Sequence, residues 1–201
     1  MCKIGILLLD RDFEHDIYEL IKAFYPEGDI HSLYEKDEEE YDIFFTVKKD
    51  NDNFVIKYET KDQKGVASAE VIRGADGDSS QETHEKLMDA HELRKANKDS
   101  LKYALYNVLV KLTGRTLPWG NLTGIRPAKL AMGMIESGMK NTEIAQEMRE
   151  RYLVSAKKTA LAITIANRER ALLQDIDYEQ REDEMFVNTK LVVRNCTGVE
   201  L

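Results

Sequence analysis

YDIFFTVKKDNDNFVIKY, residues 41–58, is the stretch that decides the fold class. Tyr41, Ile43, Phe45 and Val47 alternate with Asp42, Phe44 and Thr46, and beyond KKDNDN the residues Phe54, Ile56 and Tyr58 share one face. Period-two patterning on both sides of an Asn/Asp-rich turn is the pattern of a β-hairpin. Working outward, KIGILLL at 3–9 is a continuous apolar run suited to a buried strand. Between the two, Ile17, Leu20, Ile21 and Phe24 recur at helical spacing before Pro26 and Gly28 end the run. A third strand fits VASAEVIR at 66–73, and GADGDSSQE at 74–82 has the composition of a linker.

Past residue 83 the text turns helical. Leu101, Ala104, Leu105, Val108, Leu109 and Leu112 trace a long helix that stops at Gly114. PAKLAMGMIESG predicts a helix with Pro127 at its first position and Gly138 as its stop. Asn141 or Thr142 can cap the next helix, and Ser155 can cap AKKTALAITIANRERALL. In that last helix Leu161, Ala162, Ile165, Ala166, Glu169, Leu172 and Leu173 keep helical spacing, and FVNTKLVVRN at 186–195 reads as one more strand. The expected architecture is α+β: a small strand-helix-strand-strand unit followed by a helical unit of about four helices. The expected divisions are an acidic unit over 1–83, a basic helical unit over 84–178, and a tail over 179–201.

Charge follows the same division. Residues 1–83 hold 10 basic against 21 acidic side chains, whereas residues 111–170 hold 11 against 5. A basic middle can meet an anion or the chain's own acidic half. No apolar run approaches the length of a membrane helix. The start lacks a signal-peptide cleavage site, and the two cysteines, Cys2 and Cys196, suit a reducing cytosol, so a cytoplasmic protein with no membrane contact is expected.

Catalytic motifs are scarce. His15, His31, His84 and His91 form no HExxH, and no metal site is expected. Asp10, Asp12, Glu14, His15 and Asp16 cluster after the first strand, where a general base could sit, but Asp12 there also reads as a helix cap. No GxSxG, GxGxxG or P-loop pattern occurs. The dense segment is TGRTLPWGNLTGIRP, residues 113–127. Gly124 precedes Arg126 at the start of a helix, Lys129 lies one turn in, and Arg115 lies upstream, a plausible anion seat. Trp119 can lay its ring on a planar ligand or a cation. Equally, Trp119 can plug the gap between helices while the glycines allow tight turns.

The run TGRTLPWGNLTGIRPAKLAM resembles the hallmark block of the N-terminal region of HemZ-type proteins, oxygen-independent coproporphyrinogen III oxidases (dehydrogenases) of the radical SAM superfamily. The likeness extends to DIYELIKAFYP, LKYALYNVLVKLTG and RYLVSAKKTALAITIANRERALL, about residues 13 to 178 in all. The resemblance implies haem biosynthesis: oxidative decarboxylation of two propionates of coproporphyrinogen III to vinyl groups. It also implies S-adenosylmethionine and a 4Fe–4S cluster held by a CxxxCxxC motif. This sequence has no such motif, and one thiolate after an apolar run, Cys196, does not hold a cluster. The expectation is therefore a truncated or free-standing accessory domain that binds no cofactor and catalyses nothing alone. Its expected partners are a radical SAM catalytic barrel and coproporphyrinogen III, whose propionates would meet Arg126, Lys129 and Arg115. The alternative expectation is a module that uses the basic helical unit to bind RNA, another polyanion or a protein. The acidic first half and the lack of an RRM, KH or OB signature weigh against nucleic acid.

Overall fold

The computed structural model describes residues 2–9, 12–36, 39–50, 53–71 and 83–173. The linker at 74–82, the strand at 186–195, the tail at 179–201, Asp10 and Cys196 lie outside the described residues. Among the described residues there are five strands and five helices, an α+β arrangement with the strands first and the helical part after. The order is β1 (Lys3–Leu8), α1 (Glu14–Phe24), β2 (Asp29–Leu33), β3 (Ile43–Asp50), β4 (Asn53–Thr60), β5 (Lys64–Glu70), α2 (Thr83–Thr113), α3 (Pro127–Glu136), α4 (Asn141–Glu150) and α5 (Ala156–Leu173).

The strands form one mixed sheet in the order β2-β1-β3-β4-β5. β1 runs parallel to β2 and β3 and is covered on both sides, which is why its apolar text is continuous rather than alternating. The hairpin at 41–58 is present in antiparallel register from Ile43↔Thr60 to Asp50↔Asn53. Ile43, Phe45 and Val47 are buried along β3, and Phe54, Ile56 and Tyr58 along β4. β5 closes the sheet from Lys64 to Glu70, shifted two residues toward the N-terminus of the expected third strand. β2 was not anticipated, because DIHSL carries two strongly apolar residues and no clear alternation. Its pairing with β1 recruits it.

Two hydrophobic cores result. In the first, Ile17, Leu20, Ile21 and Phe24 of α1 and Leu101, Leu105 and Leu109 of α2 pack on the sheet. Each such fully buried side chain contributes about 1.5–3 kcal/mol. In the second, Met132 and Ile135 of α3, Ile144 and Met148 of α4, Tyr152 and Val154 of the turn, and Ala162, Ile163 and Ala166 of α5 pack together.

Helix ends differ in detail from expectation. Pro127 opens α3 and Gly138, at φ +87, follows its end, as expected. The N-cap of α4 is Lys140, whose backbone N–H donates to Glu143 Oε2 at 2.8 Å, so neither Asn141 nor Thr142 caps it. The Ser155 hydroxyl donates to the Pro118 carbonyl at 2.9 Å. The N-cap of α1 is Phe13 in a left-handed conformation, with no side-chain cap. On α5 the buried face is Thr159, Ala162, Ile163 and Ala166, while Leu161, Ile165, Leu172 and Leu173 are exposed. Among the described residues α3 and α4 are the main cover of this helix, and the buried stripe faces them.

Candidate anion-binding groove

The connection from α2 to α3 is built by backbone bonds to its neighbours. Gly114, at φ +65, ends α2 and donates to the Val110 carbonyl at 2.8 Å. The Leu117 N–H donates to the Tyr106 hydroxyl at 3.0 Å. Pro118 O accepts from Ser155 N at 3.1 Å, and Asn121 N donates to Tyr152 O at 3.0 Å, fastening the loop to the α4–α5 turn. Gly120 sits within this contact at φ +59, where an added Cβ would lie 1.9 Å from Tyr152 O.

Beyond the fastened part, the chain runs through Thr123 and Gly124 to Arg126 and faces the N-terminal half of α2. Two adjoining clefts of about 510 and 1070 Å³ lie between them, sharing His91, Lys95, Ile125, Leu130 and Tyr152 as walls. The smaller one has Lys102 at its base and reaches Phe13 and Asp16 of the α1 region. The larger carries Arg126, Lys129 and the Glu147–Arg151 pair around a surface that includes Met134 and Met139.

Most cations of this groove have partners. Lys102 is buried and donates from Nζ to Thr123 Oγ1 at 2.9 Å, with Asp16 Oδ1 at 3.8 Å. Burial holds its ammonium below the ordinary lysine range, with Lys98 acting in the same direction and Asp16 opposing. Lys98 approaches the same Asp16 oxygen at 3.8 Å, and Arg94 lies 3.8 Å from Asp12 and 5.7 Å above the Phe13 ring centroid. Arg151 pairs with Asp99 at 3.0 Å and Glu147 at 3.1 Å. The Tyr152 hydroxyl donates to Asp99 at 3.3 Å, and burial followed by the Asp99 charge pushes its phenol up to about 12. Lys95, Arg126 and Lys129 differ: among the described residues, none has an acidic group within 4.0 Å.

The structure thus brings together two of the side chains singled out from sequence, Arg126 and Lys129. Gly124, at φ +73, lies in the approach to them with open space around its Cα. Arg115 turns the other way, its guanidinium donating to the Phe24 carbonyl at the end of α1. Trp119 packs half-buried on the second core, with Lys158 Nζ 5.0 Å above its ring centroid. Lys95, with Arg94, Lys98 and Lys102, escaped sequence reading. The signal was present as basic residues at i, i+4 and i+8 (Arg94, Lys98, Lys102), a charged stripe that reads equally as a solvated helix face.

Over 124 residues the chain is 31% identical to the oxygen-independent coproporphyrinogen-III oxidase-like protein HemZ of Bacillus subtilis (strain 168). That stretch of the chain is similar to part of HemZ. The match covers 60% of this chain and 25% of that protein, so the HemZ-like segment corresponds to about a quarter of its relative. No protein-family model matches the chain, and no solved structure does. The iron–sulfur cluster implied by the resemblance finds no fitting donor set in the described residues. No three His, Cys, Asp or Glu side chains converge there for a metal. Burial and the Asp42 charge raise the Cys2 thiol, which disfavours the thiolate a metal needs. No helix of the described residues is long and apolar enough to cross a membrane.

Proposed function

We propose that this chain serves as the N-terminal accessory region of a HemZ-like coproporphyrinogen III oxidase (dehydrogenase) in porphyrin biosynthesis. The observation that carries the reading is the HemZ match along 124 residues. Two cysteines in 201 residues supply no three-thiolate motif, so the radical chemistry belongs to a catalytic barrel with its own cluster and S-adenosylmethionine. The role left to this chain is substrate presentation or docking of that barrel, in the cytoplasm. Its candidate substrate contact is the groove, where Arg126 and Lys129 stand over apolar surface and would pair with propionate carboxylates. Arg115, bonded to the α1 end, drops out of that contact set.

Titration of the tetracarboxylate coproporphyrin into the wild-type chain and Arg126→Ala tests this reading. Saturable binding, weakened about tenfold in the variant, is expected for loss of one charge-assisted pair. Equal weak affinities for the two proteins would sink the substrate contact.

A further inference from the structure

We infer that β5 is a pairing edge for a second copy of this chain. Two β5 strands join antiparallel about a two-fold axis through Ala67 and make one continuous sheet. The inference is independent of any ligand in the groove between α2 and α3. β5 ends the sheet, and among the described residues no strand lies beyond it. Its register with β4 runs residue for residue from Glu59↔Lys64 to Asn53↔Glu70, so no bulge bends the edge away. Between Lys64 and Glu70 the text is GVASA, without proline or charge. Soluble proteins ordinarily blunt their sheet edges with such devices. A seven-residue edge with none of them in its interior is a template for another strand.

The direction of the free backbone groups follows from the β4–β5 turn. The Thr60 N–H donates to the Gln63 carbonyl at 2.8 Å, which makes that pair a hydrogen-bonded rung. Antiparallel rungs alternate, so Gly65, Ala67 and Ala69 bond toward β4. Lys64, Val66, Ser68 and Glu70 therefore turn their N–H and C=O groups outward. Of these, the Glu70 carbonyl accepts from the Ser100 hydroxyl at 3.0 Å and keeps a second lone pair.

A second copy fits this edge because the strand is its own complement. With Ala67 on the axis, Val66 lies opposite the partner's Ser68 and Lys64 opposite the partner's Glu70. Both pairs join outward-turned residues, so they fall on hydrogen-bonded rungs, and the symmetry makes each pair twice. Opposite charges thus meet at both ends of the joint. Glu70 is open to that contact: among the described residues no basic group lies within 4.0 Å of its carboxylate. Lys64 holds Glu59 of β4 and stands between two acids in the pair. The other edge lacks this match, since β2 centred on His31 sets Asp29 against Leu33. An apolar cleft of about 780 Å³, lined by Ala67, Ala69, Tyr103, Ala104 and Val108, flanks the joint. Val66 is 66% exposed and Tyr103 41%, so pairing covers apolar surface that the single chain leaves in water.

Sedimentation of the full chain across the micromolar range tests this. A strand pair with an apolar margin is a small interface, so a reversible dimer with a micromolar dissociation constant is expected. Ser68→Pro deletes an outward N–H and leaves the bonds to β4, so it should keep the wild-type circular dichroism and weaken the dimer about tenfold. Lys64→Glu and Glu70→Lys each set like charges across both ends and should each weaken self-association about tenfold. Mixed together, these two variants restore opposite charges at both ends and should pair as tightly as the wild type. A monomeric wild type at every concentration overturns the inference. So does a dimer indifferent to Ser68→Pro, or a mixture of the charge variants no tighter than either alone. Hydrogen exchange identifies a different occupant: protected Val66 and Ser68 amides in a monomeric chain would mean that another segment of the same chain takes the edge, which equally overturns the second copy.

Discussion

Gly120 and Gly124 lie four residues apart, both in the left-handed region, at φ +59 and +73. Their surroundings differ completely. A Cβ on Gly120 would collide with the Tyr152 carbonyl and the Leu153 backbone, whereas one on Gly124 would meet nothing within 4 Å. Gly124→Ala therefore carries only the left-handed penalty, about 1 kcal/mol. Gly120→Ala adds overpacking against backbone that cannot rotate away, about 3 kcal/mol together. Denaturant unfolding of the two variants checks this; equal losses would show that the loop is not pinned at Gly120. The charged residues follow the same logic. Arg115 and Arg126 look equivalent in the sequence, but one is spent on a helix-end carbonyl and the other faces the groove.

Between elements, the joint that matters is that of α2 with the α4–α5 turn. Asp99 accepts from Arg151 and from the Tyr152 hydroxyl, so one carboxylate of α2 holds two consecutive residues of the turn. Tyr152 serves there only as a neutral phenol. Its folded-state value, about 12, lies above the ordinary 10.0, so the folded chain retains the proton longer than the unfolded chain. The stability linked to this proton is fully present below pH 10 and is lost as pH rises through about 12. Lys102 works in the opposite direction, because its folded-state value is lowered and the unfolded chain holds its proton more tightly. Thermal melts at increasing alkaline pH should show wild-type stability falling more steeply than that of Tyr152→Phe. Identical slopes would remove Tyr152 from the joint. α5 teaches a related lesson: its leucines keep helical spacing, yet Thr159, Ala162, Ile163 and Ala166 are the residues that pack, on the side where α3 and α4 lie.

For the whole molecule, the two cores are tied by the Lys102–Thr123 bond, the Asp99 joint and the loop's bonds to Tyr152 and Ser155. Leu105→Ala in the first core and Ile144→Ala in the second should each cost about 2–5 kcal/mol, since both side chains are fully buried. Calorimetry should show each loss in a single shifted transition; a separate early step in Ile144→Ala alone would mean that the ties do not couple the cores. Much of this arrangement was legible in the text. The hairpin at 41–58, the buried run of β1, the long helix ending at Gly114 and the Pro127 start of α3 are local patterns, and a backbone with such periodicity has few alternatives. The rare-residue block at 113–132 prompted the expectation of a HemZ-like relationship, and the 124-residue match to HemZ agrees with that relationship. What the tertiary structure alone decided is pairing. β2 exists because β1 offers it an edge, and α2 joins the core of the sheet. Of the basic residues around the groove, Lys95, Arg126 and Lys129 have no acid within 4.0 Å among the described residues, while Arg94, Lys98 and Lys102 of α2 meet Asp12 and Asp16 of the α1 region. A side chain's periodicity is set by its neighbours along the chain, but its charge is cancelled or left open by neighbours across space, and only the folded molecule determines those.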